Sequence, residues 1–311
     1  MCASVDGQEA AKWQVVLAGL GHKIEAKTAT EIHIWWSLRN ATLLLEGEPG
    51  CGKTSLVEAM VRHTGAKFYR IQCYGSLNAQ SLLYKWNQFA QELGSQRAFE
   101  SGKSFEWYDR SYLIPGKLMQ ALLDPAPQVI VLFDELDKVP EGSECEACIL
   151  QYTGEGQITI NETNDLICRP PGLPPLAIAV TSNAGRKQLR EALSAPLRRR
   201  SIYVEFAPLS AGKIEEVLAS ATPTLSPSLR TEIARFVDGL RRSNWKKPIA
   251  LSETIIWAKA LNLLGVTQLT EEVVQLTSSV LAKGHQELKS LQLDTPRLIR
   301  FAREHRLLEA A

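Results

Sequence analysis

Short apolar runs alternate with amphipathic stretches between Thr42 and Phe206. Runs that are apolar at successive positions belong to strands covered on both faces, so they predict a parallel sheet with helices on either side. One helical stretch, at 53–64, follows the first run directly. The pattern therefore predicts a doubly wound α/β domain with a five-stranded parallel sheet. Its strands are expected at residues 42–46, 67–72, 129–133, 176–180 and 202–206.

The spacing of apolar residues changes after residue 207, where strand patterns stop and only helical spacing continues. We therefore predict an N-terminal helical segment packed on the core, an α/β domain and an all-helical domain, at residues 1–40, 41–207 and 208–311. The helices of the last domain are expected at 211–220, 226–241, 251–264, 270–282 and 294–308.

Two segments of the α/β domain lie outside this regular alternation. Residues 76–123 are expected to be mostly helical. Residues 151–175 combine an alternating run with a Pro-rich stretch that suits neither a helix nor a central strand, so we expect a projecting hairpin and turn there.

The segment from Gly47 to Thr54 matches Gly-x-x-x-x-Gly-Lys-Ser/Thr, a loop that wraps the phosphates of a nucleoside triphosphate. It lies between a predicted strand and a predicted helix, so that backbone N–H groups and the helix N-terminus face the anion. Lys53 is expected to contact the β- and γ-phosphates, and the Thr54 hydroxyl is expected to hold Mg²⁺. The predicted nucleotide-binding residues are Glu48, Pro49, Gly50, Cys51, Gly52, Lys53, Thr54 and Ser55.

Two carboxylates follow the apolar run at 129–133, at the strand end where ligands bind in open α/β sheets. Asp134 is a predicted Mg²⁺ ligand, and Glu135 is predicted to orient and polarise the attacking water. A plain acidic cap between strand and helix is the alternative, which the phosphate loop on another strand disfavours. Asn183 follows a further strand and is the candidate for a hydrogen bond to that water or to the γ-phosphate.

Three arginines, Arg198 to Arg200, precede the last predicted strand. Such a run is commonly a solvated basic surface. It also suits an arginine that reaches the ATP of a neighbouring subunit, because the guanidinium is permanently charged and its donors match phosphate oxygens. Arg200 and Arg199 are the candidates for that catalytic role.

The order of these motifs, followed by a helical lid, resembles the AAA+ ATPases. GTPases are disfavoured because the chain has no Asn-Lys-x-Asp motif to read guanine. Within AAA+, the chain looks most like the MoxR group over about residues 40–265. The stretches that carry this resemblance are Leu113–Leu118, Asp134–Lys138, Gln157–Ile160, Thr181–Arg186, Leu197–Arg200 and Leu251–Ala258.

The resemblance implies an α/β fold with a P-loop sheet followed by an all-helical lid, and an ATPase that uses ATP and Mg²⁺ for conformational work. It also implies a ring, commonly a hexamer, in which Lys53 and Thr54 act in cis while Arg200 or Arg199 acts in trans. The implied function is a chaperone that remodels a partner protein complex. The resemblance also implies what this work involves: insertion of a metal cofactor into an enzyme, or action with a protein that carries a von Willebrand A domain.

One departure from the AAA+ pattern concerns the lid. Many AAA+ lids place an arginine at the start of the helix that corresponds to 251–264, whereas this chain has Leu251-Ser252-Glu253. Either Lys246 or Lys247 substitutes for that arginine, or the lid reports nucleotide more weakly.

Composition narrows the classes of function. With 35 Lys and Arg against 34 Asp and Glu, the net charge of +1 gives no whole-chain reason to expect nucleic acid or an anionic membrane. No apolar run is long enough to span a bilayer, and the N-terminus lacks a signal-peptide layout, so we expect a cytoplasmic protein. Cys145 and Cys148 form a Cys-x-x-Cys without further ligands at zinc spacing; packing in a helix is expected, and a thiol switch is the alternative.

Two other functions remain as alternatives. A DNA-directed AAA+ motor or transposition regulator would need a basic loop, whereas the predicted hairpin carries Glu155, Glu162 and Asp165, which argues against phosphate contact. A nucleotide-gated scaffold would bind ATP without hydrolysing it. Glu135 disfavours the scaffold, because a protein that does not hydrolyse ATP has no need of a water-activating carboxylate.

Overall fold

The computed structural model describes residues 7–183, 193–207, 209–243 and 249–308. The chain divides into two compact units. The first comprises residues 1–47 and 52–206, and the second comprises residues 48–51 and 207–311. Two sequence-based assignments, the lid lysines Lys246 and Lys247 and the stretch 184–186 of the MoxR-like motif, lie outside the described residues.

A five-stranded parallel sheet forms the centre of the first unit, as the sequence predicts. Its strands are β1 (Thr42–Glu46), β2 (Lys67–Gln72), β5 (Val129–Asp134), β8 (Ala177–Ser182) and β9 (Ser201–Glu205). Their order across the sheet is β2-β5-β8-β1-β9, so β2 and β9 are the edge strands.

Helices cover both faces of this sheet, because its strands are apolar on both sides. Leu44, Val131 and Phe133 belong to the core on one face, and Leu43, Leu45 and Leu132 to the core on the other. Each fully buried Leu or Phe side chain contributes about 1.5–3 kcal/mol relative to exposure. The helices of this unit are α1 (Gly7–Gly19), α2 (Ala26–Leu38), α3 (Lys53–Thr64), α4 (Ala79–Leu82), α5 (Gln88–Glu100), α6 (Lys117–Leu123), α7 (Glu144–Glu155) and α8 (Ala195–Arg199).

Residues 76–123 are less helical than predicted. An antiparallel hairpin of β3 (Tyr84–Trp86) and β4 (Leu113–Pro115) frames α5, and a 3₁₀ turn lies at Arg110–Tyr112. The large residues Tyr84 and Trp86 favour a strand, and they alternate about an exposed Lys85. The rest of the segment has helical propensity, so the sequence pattern did not predict this short strand.

The predicted hairpin at 151–175 is present but starts later than expected. Helix α7 continues to Glu155 and ends at Gly156, whose φ of 69° suits a helix C-cap. The antiparallel strands β6 (Gln157–Ile160) and β7 (Asp165–Cys168) follow.

The second unit is helical, with a core around the fully buried Phe236 and Trp257. The predicted helix at 270–282 is two short helices that meet at Thr277, and the predicted helix at 294–308 begins earlier, at His285. Pro296, a residue type that often marks the first turn of a helix and so favours a start near 294, lies inside the last helix. The helices are α9 (Ala211–Ala221), α10 (Pro227–Arg242), α11 (Leu251–Leu263), α12 (Glu271–Leu276), α13 (Ser278–Leu281) and α14 (His285–Leu308). Within the described part of the chain, no helix is both long and apolar enough to cross a membrane.

Cys145 and Cys148 pack in the core beneath the sheet. They are 0% and 5% exposed, and both lie on α7. A hydrogen bond with Cys73, together with burial, raises the pKa of the Cys145 thiol, and burial raises the pKa of Cys148 to about 12. The described residues contain no cluster of three or more His, Cys, Asp or Glu placed to hold a metal ion. The packing interpretation of this Cys-x-x-Cys therefore agrees with the structure.

This burial predicts selective thiol chemistry. In the native protein at pH 8, iodoacetamide is expected to modify the exposed Cys168 and to leave Cys145 and Cys148 unmodified, because the thiolate is the nucleophile. Mass spectrometry of the digested protein measures this, with a denatured sample as the control in which all three react. Rapid native alkylation of Cys145 or Cys148 would instead favour the thiol switch.

Candidate nucleotide-binding and hydrolysis site

The register of three parallel strands defines the position of the site. Glu46, the last residue of β1, pairs with Ser182 at the end of β8. Phe133 of β5 pairs with Val180 of β8, so β5 ends at the same edge of the sheet. The phosphate loop, the acidic pair and Asn183 follow these three ends, and the sheet therefore brings them together.

Lys53 is the first residue of α3 and is only 6% exposed. Its Nζ donates to the Gly47 carbonyl at 2.8 Å and to Asn183 Oδ1 at 3.0 Å. Gly50 and Gly52 have φ angles of 77° and 101°, a region in which a side chain is disfavoured. These glycines let the loop turn tightly into the helix, as a phosphate-binding loop requires.

Asp134 is a buried carboxylate with partners on both oxygens. Its Oδ1 accepts hydrogen bonds from the hydroxyl of Thr54, at 3.0 Å, and from that of Thr181. Its Oδ2 accepts from Arg70, whose Nε lies 2.9 Å away. Only 3% of Asp134 is exposed, so these bonds replace the water that the charge has lost.

Glu135 has an unusual backbone conformation. Its φ and ψ are 58° and 51°, in the left-handed region that a non-glycine residue adopts at a cost of about 1–3 kcal/mol. Its N–H donates to Thr181 Oγ1 at 2.8 Å. Its carboxylate accepts from Gln72 Nε2 at 3.0 Å and from Asn183 Nδ2 at 3.1 Å. Contacts from β2, from β8 and from the residue that follows β8 therefore fix both the backbone and the carboxylate.

Asn183 links the phosphate-binding and acidic parts of the site. Its side chain accepts from Lys53 and donates to Glu135, and its backbone N–H donates to Asp137 Oδ1 at 2.9 Å. Asp137 lies in the 3₁₀ turn Leu136–Lys138 directly after the acidic pair. A residue in this position can sense a change at either neighbour.

These residues fit a nucleotide with its metal ion. The Thr54 hydroxyl and the Asp134 carboxylate lie 3.0 Å apart and supply the oxygen ligands that Mg²⁺ prefers. Lys53 and the turn around Gly50 and Gly52 fit the phosphates. When bound, Mg²⁺ would neutralise charge on the phosphate oxygens, and Glu135, which accepts a hydrogen bond from Asn183, would position water.

Sequence reasoning missed three residues of this site: Arg70, Gln72 and Thr181. Arg70 and Gln72 alternate on β2, and a polar residue at every second position is a weak sign of a shared face. Nothing in the local sequence indicates that β2 lies next to the acidic strand. Thr181 lies in the motif before Asn183, and its buried hydroxyl bonds to both acidic residues.

The two candidate arginines lie away from this site. Ser201 pairs with Thr42 at the start of β1, so Arg199 and Arg200 lie at the amino end of the sheet. Both side chains are exposed. Arg200 Nη1 donates to the Leu150 carbonyl of α7 at 2.9 Å.

The fold and the site together define a P-loop ATPase. Residues 42–201 match the model of the AAA domain, dynein-related subfamily, and the chain belongs to this family. Residues 42–201 therefore form an ATPase domain of the AAA+ class, which uses ATP with Mg²⁺.

Individual relatives match parts of the chain. It is 32% identical over 175 residues to the peroxisomal Lon protease homolog 2 of Pichia angusta, covering 55% of this chain and 16% of that protein. It is 22% identical over 202 residues to the denitrification regulatory protein NirQ of Stutzerimonas stutzeri, covering 64% of this chain and 63% of that protein. The chain thus spans less than two thirds of either relative.

The solved structures that match the chain are less similar to it in sequence than these two relatives. A mutant of Thermotoga maritima RuvB is 16% identical, with a TM-score of 0.48, covering 81% of this chain and 68% of that chain. A likeness at this level bears on no functional conclusion.

Removal of the Glu135 charge tests its assigned role. Glu135→Gln is expected to bind ATP with near wild-type affinity and to lose about 100-fold or more in turnover, because the amide does not activate water. Nucleotide binding by fluorescence and phosphate release are the two measurements. Glu141→Gln, at an exposed position in the same segment, is the matched control. Turnover within a few-fold of wild type would remove Glu135 from the mechanism.

The Thr181 hydroxyl is expected to stabilise the nucleotide-free protein. Thr181→Val leaves Asp134 and the Glu135 N–H each short of a partner, so the free energy of unfolding should fall by about 1–3 kcal/mol. Thr181→Ser keeps the hydroxyl and should lose much less. Urea denaturation without nucleotide compares them, and equal stability of the Val and Ser variants would contradict the assigned bonds.

Proposed function

We propose that the protein is a ring-forming AAA+ remodeller of the MoxR-like group, in which each ATP site is completed by an arginine of the neighbouring subunit. The supporting observation is the separation between the hydrolytic residues and the exposed arginines. The five residues of β1 span about 16 Å, at about 3.3 Å per residue. Because Arg199 and Arg200 lie at the opposite end of that strand, they are poorly placed to reach the phosphates of their own chain.

Of the two arginines, we assign the trans role to Arg199. The guanidinium of Arg200 already binds the Leu150 carbonyl near the end of α7, where a cation is favourable. A side chain at Gly154 would come within 3.0 Å of Arg200 Nη1, so the helix and this arginine fit closely. Arg200 then positions the segment, and the exposed Arg199 is available to a neighbour.

In this proposal the domain at 208–311 acts as the lid, and the segment at 1–40 stays with the α/β domain at 41–207. Trp35 of α2 is fully buried and donates to the Ile178 carbonyl of β8 at 2.9 Å, which ties this helix to the sheet. Binding and hydrolysis of ATP would change the lid position and move the loops that contact the client.

The proposed client is a protein complex in the cytoplasm, and the proposed work is maturation of an enzyme. The MoxR resemblance implies that this maturation is metal-cofactor insertion or is carried out together with a von Willebrand A domain protein. The relative NirQ, named as a regulatory protein, is matched over similar shares of both chains, whereas the Lon homologue is matched over 16% of its length. That balance favours a remodeller over a protease component.

The charge of the β6–β7 hairpin gives less support against nucleic acid than the sequence indicates. Asp165 forms an ion pair with Arg110, and Glu162 accepts a hydrogen bond from the Tyr84 hydroxyl at 2.7 Å. Both carboxylates therefore have partners within the protein. The protein client stays the preferred proposal because the net charge of the chain is only +1.

Mixing of two inactive variants tests the shared site. Lys53→Ala and Arg199→Ala should each be inactive alone, since loss of such an arginine costs about 10³–10⁵ in turnover. Mixed rings contain some sites with both residues intact, so part of the turnover should return. Arg200→Ala is the control and should keep more activity than Arg199→Ala.

The mixed species must first be shown to assemble, by native mass spectrometry. Absence of rescue at every ratio, in rings shown to be mixed, would contradict an arginine in trans. Full activity of Arg199→Ala together with loss in Arg200→Ala would transfer the role to Arg200.

A further inference from the structure

Arg70 binds the predicted metal ligand directly. It lies on the edge strand β2, two residues before Gln72, and both its Nε and its Nη2 donate to Asp134 Oδ2. The other oxygen of Asp134 is bound by Thr54 and Thr181. Each oxygen of this carboxylate is therefore occupied within the protein.

The environments of the two charged groups differ. The Asp134 side chain is 4% exposed, whereas the Arg70 side chain is 46% exposed. A buried carboxylate needs a nearby positive charge, which Arg70 supplies here. The guanidinium can swing into solvent at little cost because half of it is already hydrated, whereas Asp134 cannot leave its site.

The Arg70 side chain is not needed to hold β2 in the sheet. Its backbone carbonyl accepts from Lys117 Nζ at 2.9 Å, which holds the strand without use of the arginine side chain. The side chain is thus directed to Asp134 by the charge of that carboxylate, at the place where a divalent cation is predicted to bind.

We propose that Arg70 takes the place of the divalent cation at Asp134 in the nucleotide-free protein and is displaced when Mg²⁺ arrives with ATP. Arg70 is then a positioning residue: it orients the Asp134 carboxylate, and it competes with the metal ion for Oδ2. The proposal rests on the part of the proposed function in which ATP and Mg²⁺ bind at this site. It does not depend on ring assembly, so it would still hold if the protein formed no ring.

The test is the contribution of Mg²⁺ to nucleotide affinity. The Kd of a fluorescent ATP analogue is measured with Mg²⁺ and with EDTA, and the ratio of the two values isolates the metal. In Arg70→Met the competitor is gone, so the ratio of the Kd in EDTA to the Kd with Mg²⁺ should be about threefold to tenfold larger than in wild type. This range is the one expected for the loss of a half-exposed, charge-assisted pair. Arg70→Lys, which keeps the charge but loses the fork, should lie between them.

The matched control is Lys67→Met, which removes a positive charge from the other end of the same strand. It should leave the ratio at the wild-type value. Melting temperature gives a second readout without turnover: in EDTA, Arg70→Met should melt below wild type because Asp134 has lost its counter-charge, and Mg²⁺ with ATP should recover the difference.

Two outcomes would overturn the proposal. A lower melting temperature with an unchanged ratio of Kd values, in both Arg70→Met and Arg70→Lys, would show a structural ion pair that does not compete with the metal. A loss of affinity above tenfold in EDTA would make Arg70 a phosphate ligand instead. Should Arg70→Met fail to fold, the ratio for Arg70→Lys decides between these outcomes.

Discussion

Parallel pairing of β1, β8 and β5 is the constraint on which the rest of this site depends. The pairing aligns the carboxyl ends of three strands, and each end carries a different chemistry: a phosphate loop, an acidic pair and an amide. A one-residue slip in register would turn the side chains of a strand to the other face of the sheet. The buried layers on both faces fix that register, so packing energy maintains the geometry of the site.

The surrounding strands hold the acidic pair, Asp134 and Glu135, in states that neither residue favours by itself. Asp134 is charged and buried, and Glu135 has a left-handed backbone. Neither state is favourable alone, and both are stabilised by hydrogen bonds from neighbouring strands. Thr181 bonds to the Asp134 carboxylate and to the Glu135 backbone N–H, which links the predicted metal ligand to the residue predicted to activate water. A change at the nucleotide is therefore expected to reach both carboxylates together.

Local motifs allowed a large part of this site to be predicted. The phosphate loop, the acidic pair and the five strands each follow from a few consecutive residues and their periodicity. The contributions of β2 did not, because Arg70 and Gln72 gain their roles only from a strand order in which β2 lies beside β5. The short β3–β4 hairpin escaped prediction since tertiary pairing overrode helical propensity, and Pro296 was misleading because a proline can lie within a long helix. The roles of Glu135, Asn183 and the arginines remain predictions that the geometry supports.

We propose that one chain holds the hydrolytic residues but not a complete site. The most direct measurement is ATP turnover per subunit over a wide range of protein concentration, with Mg²⁺ present throughout. If the site is completed between subunits, the specific rate should rise with concentration and reach a plateau as subunits assemble. A measurable rate that stays constant down to concentrations at which only monomer is present would contradict it, because each chain would then hydrolyse ATP alone.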